Sequence, residues 1–150
     1  MPVNRRKIGI RDMNPGAKYL TIYAGTAAVM VLLDLLWLGL LAKPLYQQGM
    51  GHLMAEQPRL GVAAGFYLMY ALGLVVLAVL PAAESGGLWR AAMNGALLGA
   101  FAYATYDLTN LATLRGWPVW LAAMDIAWGT LVSAVSAAAG KAVLDRVSVA

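Results

Sequence analysis

Four long apolar runs without Lys or Arg alternate with short polar segments along the chain. The runs cover residues 19–42, 60–80, 91–114 and 116–140. A helix rises about 1.5 Å per residue, so each run is long enough to cross the hydrocarbon core of a bilayer, about 30 Å thick. The pattern predicts an all-α polytopic membrane protein folded as a bundle of four transmembrane helices.

The segments between the runs predict how the helices are joined. Residues 43–58 are too polar to cross a membrane and too apolar for a plain linker, so we expect a short helix on the outer interface. Residues 81–87 read as a tight turn. In the last connection, Gly116 is suited to end a helix and Pro118 to begin the next one.

Composition supports membrane insertion and excludes several chemistries. Apolar residues make up 61% of the 150 residues, charged residues only 12%, and the mean hydropathy is +0.68. The absence of cysteine excludes disulfides and thiolate catalysis, and the single histidine excludes haem held by two histidines. We therefore predict no metal and no other cofactor.

The basic residues indicate topology rather than nucleic-acid binding, since they collect at chain ends and loop edges. An even number of spans puts both termini on one side. Eight bases fall on that side and three on the other, so the positive-inside rule predicts cytoplasmic termini. Residues 1–17 are then a basic cytoplasmic arm, and residues 18–145 form the membrane domain.

Three acids lie inside the predicted spans. Counted from the span ends, Asp34, Asp107 and Asp125 all lie about 12–13 Å below the outer boundary. A carboxylate facing lipid is costly, so we expect the three to share an interior layer. Because no base lies within a span, at least one acid is protonated, a cation lies among them, or Arg59 or Arg115 folds down from the rim.

Polar and aromatic side chains surround these acids at helical spacing. Tyr103 and Asn110 lie four residues before and three residues after Asp107, on the same helix face. The second run adds Tyr67 and Tyr70 at a similar depth. The predicted ligand or ion site consists of Asp34, Asp107, Asp125, Asn110, Tyr103, Tyr67, Trp37 and Trp128, with Arg59 and Arg115 at the rim. The same residues also fit a hydrogen-bonded network that only fixes helix register.

Small and aromatic residues predict contacts between helices and with the membrane interface. The pairs Gly61/Gly65 and Gly95/Gly99 allow close helix packing, within the chain, in a homodimer or in a larger membrane complex. Five aromatic residues near the span ends are predicted to lie in the head-group zone: Trp89, Trp117, Trp120, Tyr19 and Tyr46.

Several segments resemble one bacterial family. They are DLLWLG at 34–39, GHLM at 51–54, FYLMYALGLVVLAVLPA at 66–82, NGALLGAFAYATYDLTNLATLRGWP at 94–118 and DIAWGTLVS at 125–133. In these segments the chain resembles the domain of unknown function 2177 family, over about residues 18–139. The resemblance implies a four-helix protein of the bacterial inner membrane and carries no activity with it.

Three functions fit this sequence. The leading one is a bundle whose acid layer binds or relays protons, cations or a small amphiphile reached from the outer face. The second is a non-catalytic accessory subunit of a larger membrane complex. The third is an intramembrane aspartyl hydrolase, but Asp125 follows Leu-Ala-Ala-Met and lacks the Gly-x-Gly-Asp pattern that would pair with Tyr106-Asp107. The enzymatic question therefore stays open, and the residues favour a protein without catalytic activity.

Overall fold

The computed structural model describes residues 14–149, and this part of the chain consists of helices and short connections, without a strand. Its α-helices are α1 Pro15–Trp37, α2 Lys43–Met50, α3 Leu60–Leu74, α4 Leu80–Ser85, α5 Leu88–Thr113 and α6 Val119–Val149. Most of the predicted basic arm, residues 1–13, lies outside the described residues. Helix α1 begins within the last residues of that arm, where the Asn14 side chain accepts a hydrogen bond from the Gly16 N–H at 2.9 Å.

Three helical segments in the described range are long and apolar enough to cross a membrane. They are Pro15–Leu53, Leu60–Glu84 and Val119–Ser148. Helix α5 matches the predicted third span in length but is less apolar, because it carries side chains such as Asn94, Asp107 and Asn110. The fold is therefore all-helical with membrane-spanning segments, as the sequence predicts.

Two π-helical turns, which the sequence analysis missed, join neighbouring α-helices. Leu38–Ala42 joins α1 to α2, and Val75–Val79 joins α3 to α4. A proline follows each turn closely, Pro44 in the first case and Pro81 in the second. Proline lacks an N–H and clashes with the carbonyl four residues earlier, and a wider turn relieves both problems.

The π-helical turn before Pro81 changes one predicted connection. The chain stays helical through Ser85, where a tight turn was predicted for residues 81–87, and only the Gly86–Gly87 pair remains between α4 and α5. In the connection from α5 to α6, the helix ends at Thr113, before Gly116, and Pro118 directly precedes the first residue of α6. Gly116 has a positive φ of 76°, and the Pro118 carbonyl accepts the Ala122 N–H at 3.1 Å.

The packing of α5 on α6 depends on glycine. A Cβ on Gly99 would lie 2.2 Å from the carbonyl oxygen of Gly129, and one on Gly95 would lie 2.5 Å from that of Ser133. Both distances are far below van der Waals contact, so only glycine lets the two backbones approach this closely. By contrast, a Cβ on Gly61 or Gly65 would meet nothing within 4 Å, so these two glycines pack against no other described part of the chain.

The exterior of the bundle is strongly apolar. Large hydrophobic side chains are exposed on α1, α3, α5 and α6, among them Leu32, Leu68, Phe101 and Leu131. Polar side chains on the exposed face of α5 bond to their own helix, as Thr105 does by donating to the Phe101 carbonyl at 2.7 Å. An exterior of this kind is suited to lipid and not to water.

Candidate functional site

Three different helices bury an aspartate. The exposed fractions are 6% for Asp34 on α1, 0% for Asp107 on α5 and 5% for Asp125 on α6. Within residues 14–149 none of the three forms an ion pair, and Arg59 and Arg115 are exposed. Neither Arg59 nor Arg115 therefore folds down from the rim to pair with the buried acids.

Asp34 belongs to a cluster that connects α1, α3 and α6. The Trp128 Nε1–H donates a hydrogen bond to Asp34 Oδ1 at 2.8 Å. The indole of Trp37 stacks on that of Trp128, with ring centroids 4.5 Å apart and planes 8° from parallel. Tyr67 on α3 places its hydroxyl beside the Asp34 carboxyl. The structure thus brings together four of the predicted site residues.

Asp125 has a partner that is not among the predicted site residues. The Tyr46 hydroxyl on α2 donates a hydrogen bond to Asp125 Oδ1. The Trp37 Nε1 lies near this hydroxyl, which connects the Asp125 pair to the indole stack, although the indole N–H itself has no hydrogen-bond partner in residues 14–149. Tyr46 was predicted to lie in the head-group zone, and the structure adds that its hydroxyl points into the bundle and bonds to Asp125.

Asp107 is the acid without a hydrogen bond. Both of its carboxyl oxygens are buried and accept no hydrogen bond from any described residue. The predicted partners Tyr103 and Asn110 do not reach it, and Asn110 lies beside Tyr106 instead. Asp125 is close enough to Asp107 to interact electrostatically. Because buried polar groups are nearly always hydrogen-bonded, Asp107 is the most unusual group of the site.

The side chain beside Asp107 is Trp117, which was predicted to lie in the head-group zone. Trp117 is buried instead, and its ring packs edge-on against Tyr106 at 5.6 Å between centroids. Its indole N–H faces Asp107 but also lacks a hydrogen-bond partner among the described residues. The buried indole N–H of Trp117 and the buried carboxyl of Asp107 therefore lie next to each other without forming a hydrogen bond. Because Trp117 is buried in the protein, the prediction that it lies among the lipid head groups is wrong.

We expect Asp107→Asn to stabilise the protein by about 1–3 kcal/mol, since the change removes an unpaired buried acid next to Asp125 and keeps its shape. The measurement is thermal unfolding in detergent. Asp145→Asn is the control and should destabilise the protein. Asp145 pairs with the buried Lys141 at 2.5 Å, so removing its charge leaves the Lys141 ammonium without a counter-charge. Destabilisation by Asp107→Asn of the same size as by Asp145→Asn would contradict this account of Asp107.

A cavity of about 640 Å³ lies next to Asp125. Aromatic side chains from three helices, α2, α3 and α5, line much of its wall: Tyr46, Phe66, Tyr70, Tyr103 and Tyr106. Tyr103 lies directly against Gly129, where a Cβ would be 2.1 Å from the ring. Tyr70 is held by a hydrogen bond of 2.8 Å between its hydroxyl and that of Ser133. Contacts with α6 thus hold two of the aromatic rings, Tyr70 and Tyr103, in place.

The mouth of the cavity is apolar. Met54, Phe66 and Met69 line the cavity and are themselves exposed at the surface, and Met50 lines it as well. Met69 is 67% exposed on a helix that belongs to the span-length segment Leu60–Glu84. A cavity that opens beside such a residue is accessible from the surface that lipid would cover.

Among acidic and basic side chains, only one carboxyl from the described residues lines the cavity. It belongs to Asp125, and no Lys or Arg from residues 14–149 lines the wall. No group of three His, Cys, Asp or Glu side chains in the described range is arranged to hold a metal ion. The site therefore combines a large aromatic and apolar surface with a single hydrogen-bonded carboxyl.

Apolar helices of membrane-spanning length, a lipid-compatible exterior and buried acids define a helical membrane protein. The chain belongs to the family described as "Predicted membrane protein (DUF2177)", whose model matches residues 19–142. This match confirms the resemblance found in the sequence. No curated protein and no solved structure matches the chain.

Proposed function

We propose that this protein binds a small amphiphile in the aromatic cavity. The polar end of the ligand lies at Asp125 and Tyr46, and its apolar part extends toward the methionines at the mouth. The observation that carries the proposal is the cavity itself, which joins one carboxyl to an apolar opening on a span-length helix. Its volume of about 640 Å³ is typical of small-molecule sites.

The lining supports an amphiphile over a polar metabolite. A polar ligand needs several hydrogen-bonding groups, whereas this wall offers mainly rings and thioethers. Methionine side chains are flexible and polarisable, so Met50, Met54 and Met69 are suited to contact acyl chains of different shape. The exposed mouth supports entry from the bilayer.

A second candidate function rests on Asp107. A wholly buried acid without a hydrogen-bond partner, close to Asp125, also fits a site that takes up or releases a proton. The aspartyl hydrolase and the accessory subunit stay predictions. The exposed Gly61 and Gly65 are compatible with the latter.

For the topology, we infer four spans with α5 as the third, α2 at the outer interface, and both termini on the cytoplasmic side of a bacterial inner membrane. The 26 residues of α5 are enough to cross, its glycines and Asp107 face inward, and its exposed threonine hydroxyls are bonded to their own helix. The uneven distribution of bases supports the orientation.

A fluorescent protein that matures only in the cytoplasm, fused after Ala150, should be active, and alkaline phosphatase fused at the same point should be inactive. The opposite pair of activities would overturn the proposed orientation. Fusions after Gln57, in the connection between α2 and α3, serve as the control and should give the reverse pattern.

Filling the cavity tests the binding function. Ala102 lines the cavity, so we expect Ala102→Phe to remove bound amphiphile. Ala112 lies on the exposed face of the same helix, so Ala112→Phe is the matched control. Native mass spectrometry after mild purification should find a retained membrane amphiphile on wild type and Ala112→Phe only. Equal retention by all three proteins, or none on wild type even after membrane lipid extract is added, would contradict the proposal.

A further inference from the structure

We infer that the amphiphile carries a cationic head group, an amine or a quaternary ammonium, which lies against Asp125 among the tyrosine rings. This inference rests on the proposed amphiphile-binding function and specifies the chemistry of the ligand. It follows from two features of the cavity wall, its charge and its aromatic composition.

The charge of the wall is one-sided. Asp125 faces the cavity, and Asp107 lies behind it, close enough to interact. The described residues place no Lys or Arg in the wall, and the rim bases Arg59 and Arg115 are exposed elsewhere. In a low-dielectric surrounding an anionic head group would be repelled here without any compensating charge, whereas a cation would supply the missing counter-charge.

The carboxyl of Asp125 can still accept a hydrogen bond from a ligand. Tyr46 donates to Oδ1, and Oδ2 accepts no hydrogen bond within residues 14–149. The phenol therefore orients the carboxyl without using all of its acceptor capacity. A bound ammonium would add the second interaction.

The aromatic rings provide the rest of the recognition. Tyr70, Tyr103 and Tyr106 line the cavity together with Phe66, whose ring stacks on that of Tyr70 with centroids 5.4 Å apart. Ring faces attract cations through their quadrupole, and several rings around one point are the usual means of binding a quaternary ammonium. A neutral head group would gain neither this attraction nor the contact with the carboxyl.

Amphiphiles with the same twelve-carbon chain and different head groups test the inference on the wild-type protein in neutral lipid nanodiscs. The probes are dodecyltrimethylammonium, a neutral polyoxyethylene dodecyl ether and dodecanoate. Binding to the cavity is defined as the share of each probe's total binding that Ala102→Phe abolishes. We expect the ammonium to bind at least about tenfold more tightly than the ether, and dodecanoate most weakly. If the ether binds as tightly as the ammonium, the inference of a cationic head group is wrong, whereas the proposal of an amphiphile site is not affected. No site binding by any probe would overturn both.

A carboxyl variant gives an independent measurement. Asp125→Asn should lower the affinity for dodecyltrimethylammonium by about tenfold and leave that for the ether unchanged, because only the charge is removed. Asp145→Asn, which removes a carboxylate outside the cavity, should leave the affinities for both probes unchanged. Unchanged ammonium binding in Asp125→Asn would contradict the inference. If that variant does not fold, the comparison of head groups on wild type still decides the question.

Discussion

Replacing Gly99 by alanine should destabilise the bundle by about 3 kcal/mol, because the new methyl group has no free space. Its Cβ would lie 2.2 Å from the Gly129 carbonyl oxygen and 2.6 Å from the Ser133 hydroxyl. A backbone carbonyl cannot rotate away as a flexible side chain can, so α5 and α6 must separate. This is the most extensive helix contact in the described structure, and Tyr103 and Asp107 lie on the same helix.

Gly61→Ala is the matched control for Gly99→Ala. Gly61 is also a helical glycine, but an added Cβ there meets nothing within 4 Å. Alanine is favoured over glycine in a helix by about 1 kcal/mol, so this variant should be neutral or slightly more stable. Thermal unfolding of both variants in detergent measures the contrast. Similar midpoints for Gly99→Ala and Gly61→Ala would mean that α5 and α6 are not packed as described.

The second large effect is expected at Trp128. Trp128→Ala should cost about 3–5 kcal/mol, since it removes the stacked partner of Trp37 and the hydrogen-bond donor to Asp34. Trp128→Phe keeps a ring for stacking and removes the donor, so its loss should be about 1–3 kcal/mol. Unfolding measurements on the two variants separate packing from hydrogen bonding.

Trp89→Ala provides the surface control for this pair. Trp89 is 76% exposed, so its removal should change the free energy of unfolding little. If Trp128→Ala is no more destabilising than Trp89→Ala, Trp128 does not stabilise the Asp34 cluster as described. If Trp128→Phe costs as much as Trp128→Ala, the stack of the two indoles contributes nothing to stability.

Helical periodicity and hydropathy were sufficient to predict the all-helical membrane fold. Long runs without Lys or Arg exclude most other structures, and only helices satisfy the backbone inside lipid at this length. The same reasoning led us to expect Asp34, Asp107 and Asp125 inside the bundle, since each lies in an apolar run. The three carboxyls are buried, while their use as a ligand or ion site stays a proposal.

The partners of the acids could not be predicted in this way, because they depend on tertiary contacts. Tyr46 follows a π-helical turn, which changes the direction in which the side chains after it point. Extending a regular helix from α1 therefore does not show which side Tyr46 faces. The prolines at 44 and 81 are the signal that could have indicated both π-helical turns. Trp117 next to a helix end looked like an interface residue, whereas in the fold it is buried and packs against Tyr106.

Photo-labelling can show whether an amphiphile occupies the aromatic cavity. A single-chain amphiphile with a diazirine in its tail should label peptides that contain Met50, Met54 or Met69, and excess unlabelled amphiphile or Ala102→Phe should suppress that labelling. Labelling spread over lipid-facing positions such as Leu32 and Phe101, with no competition and no effect of Ala102→Phe, would contradict the proposed binding.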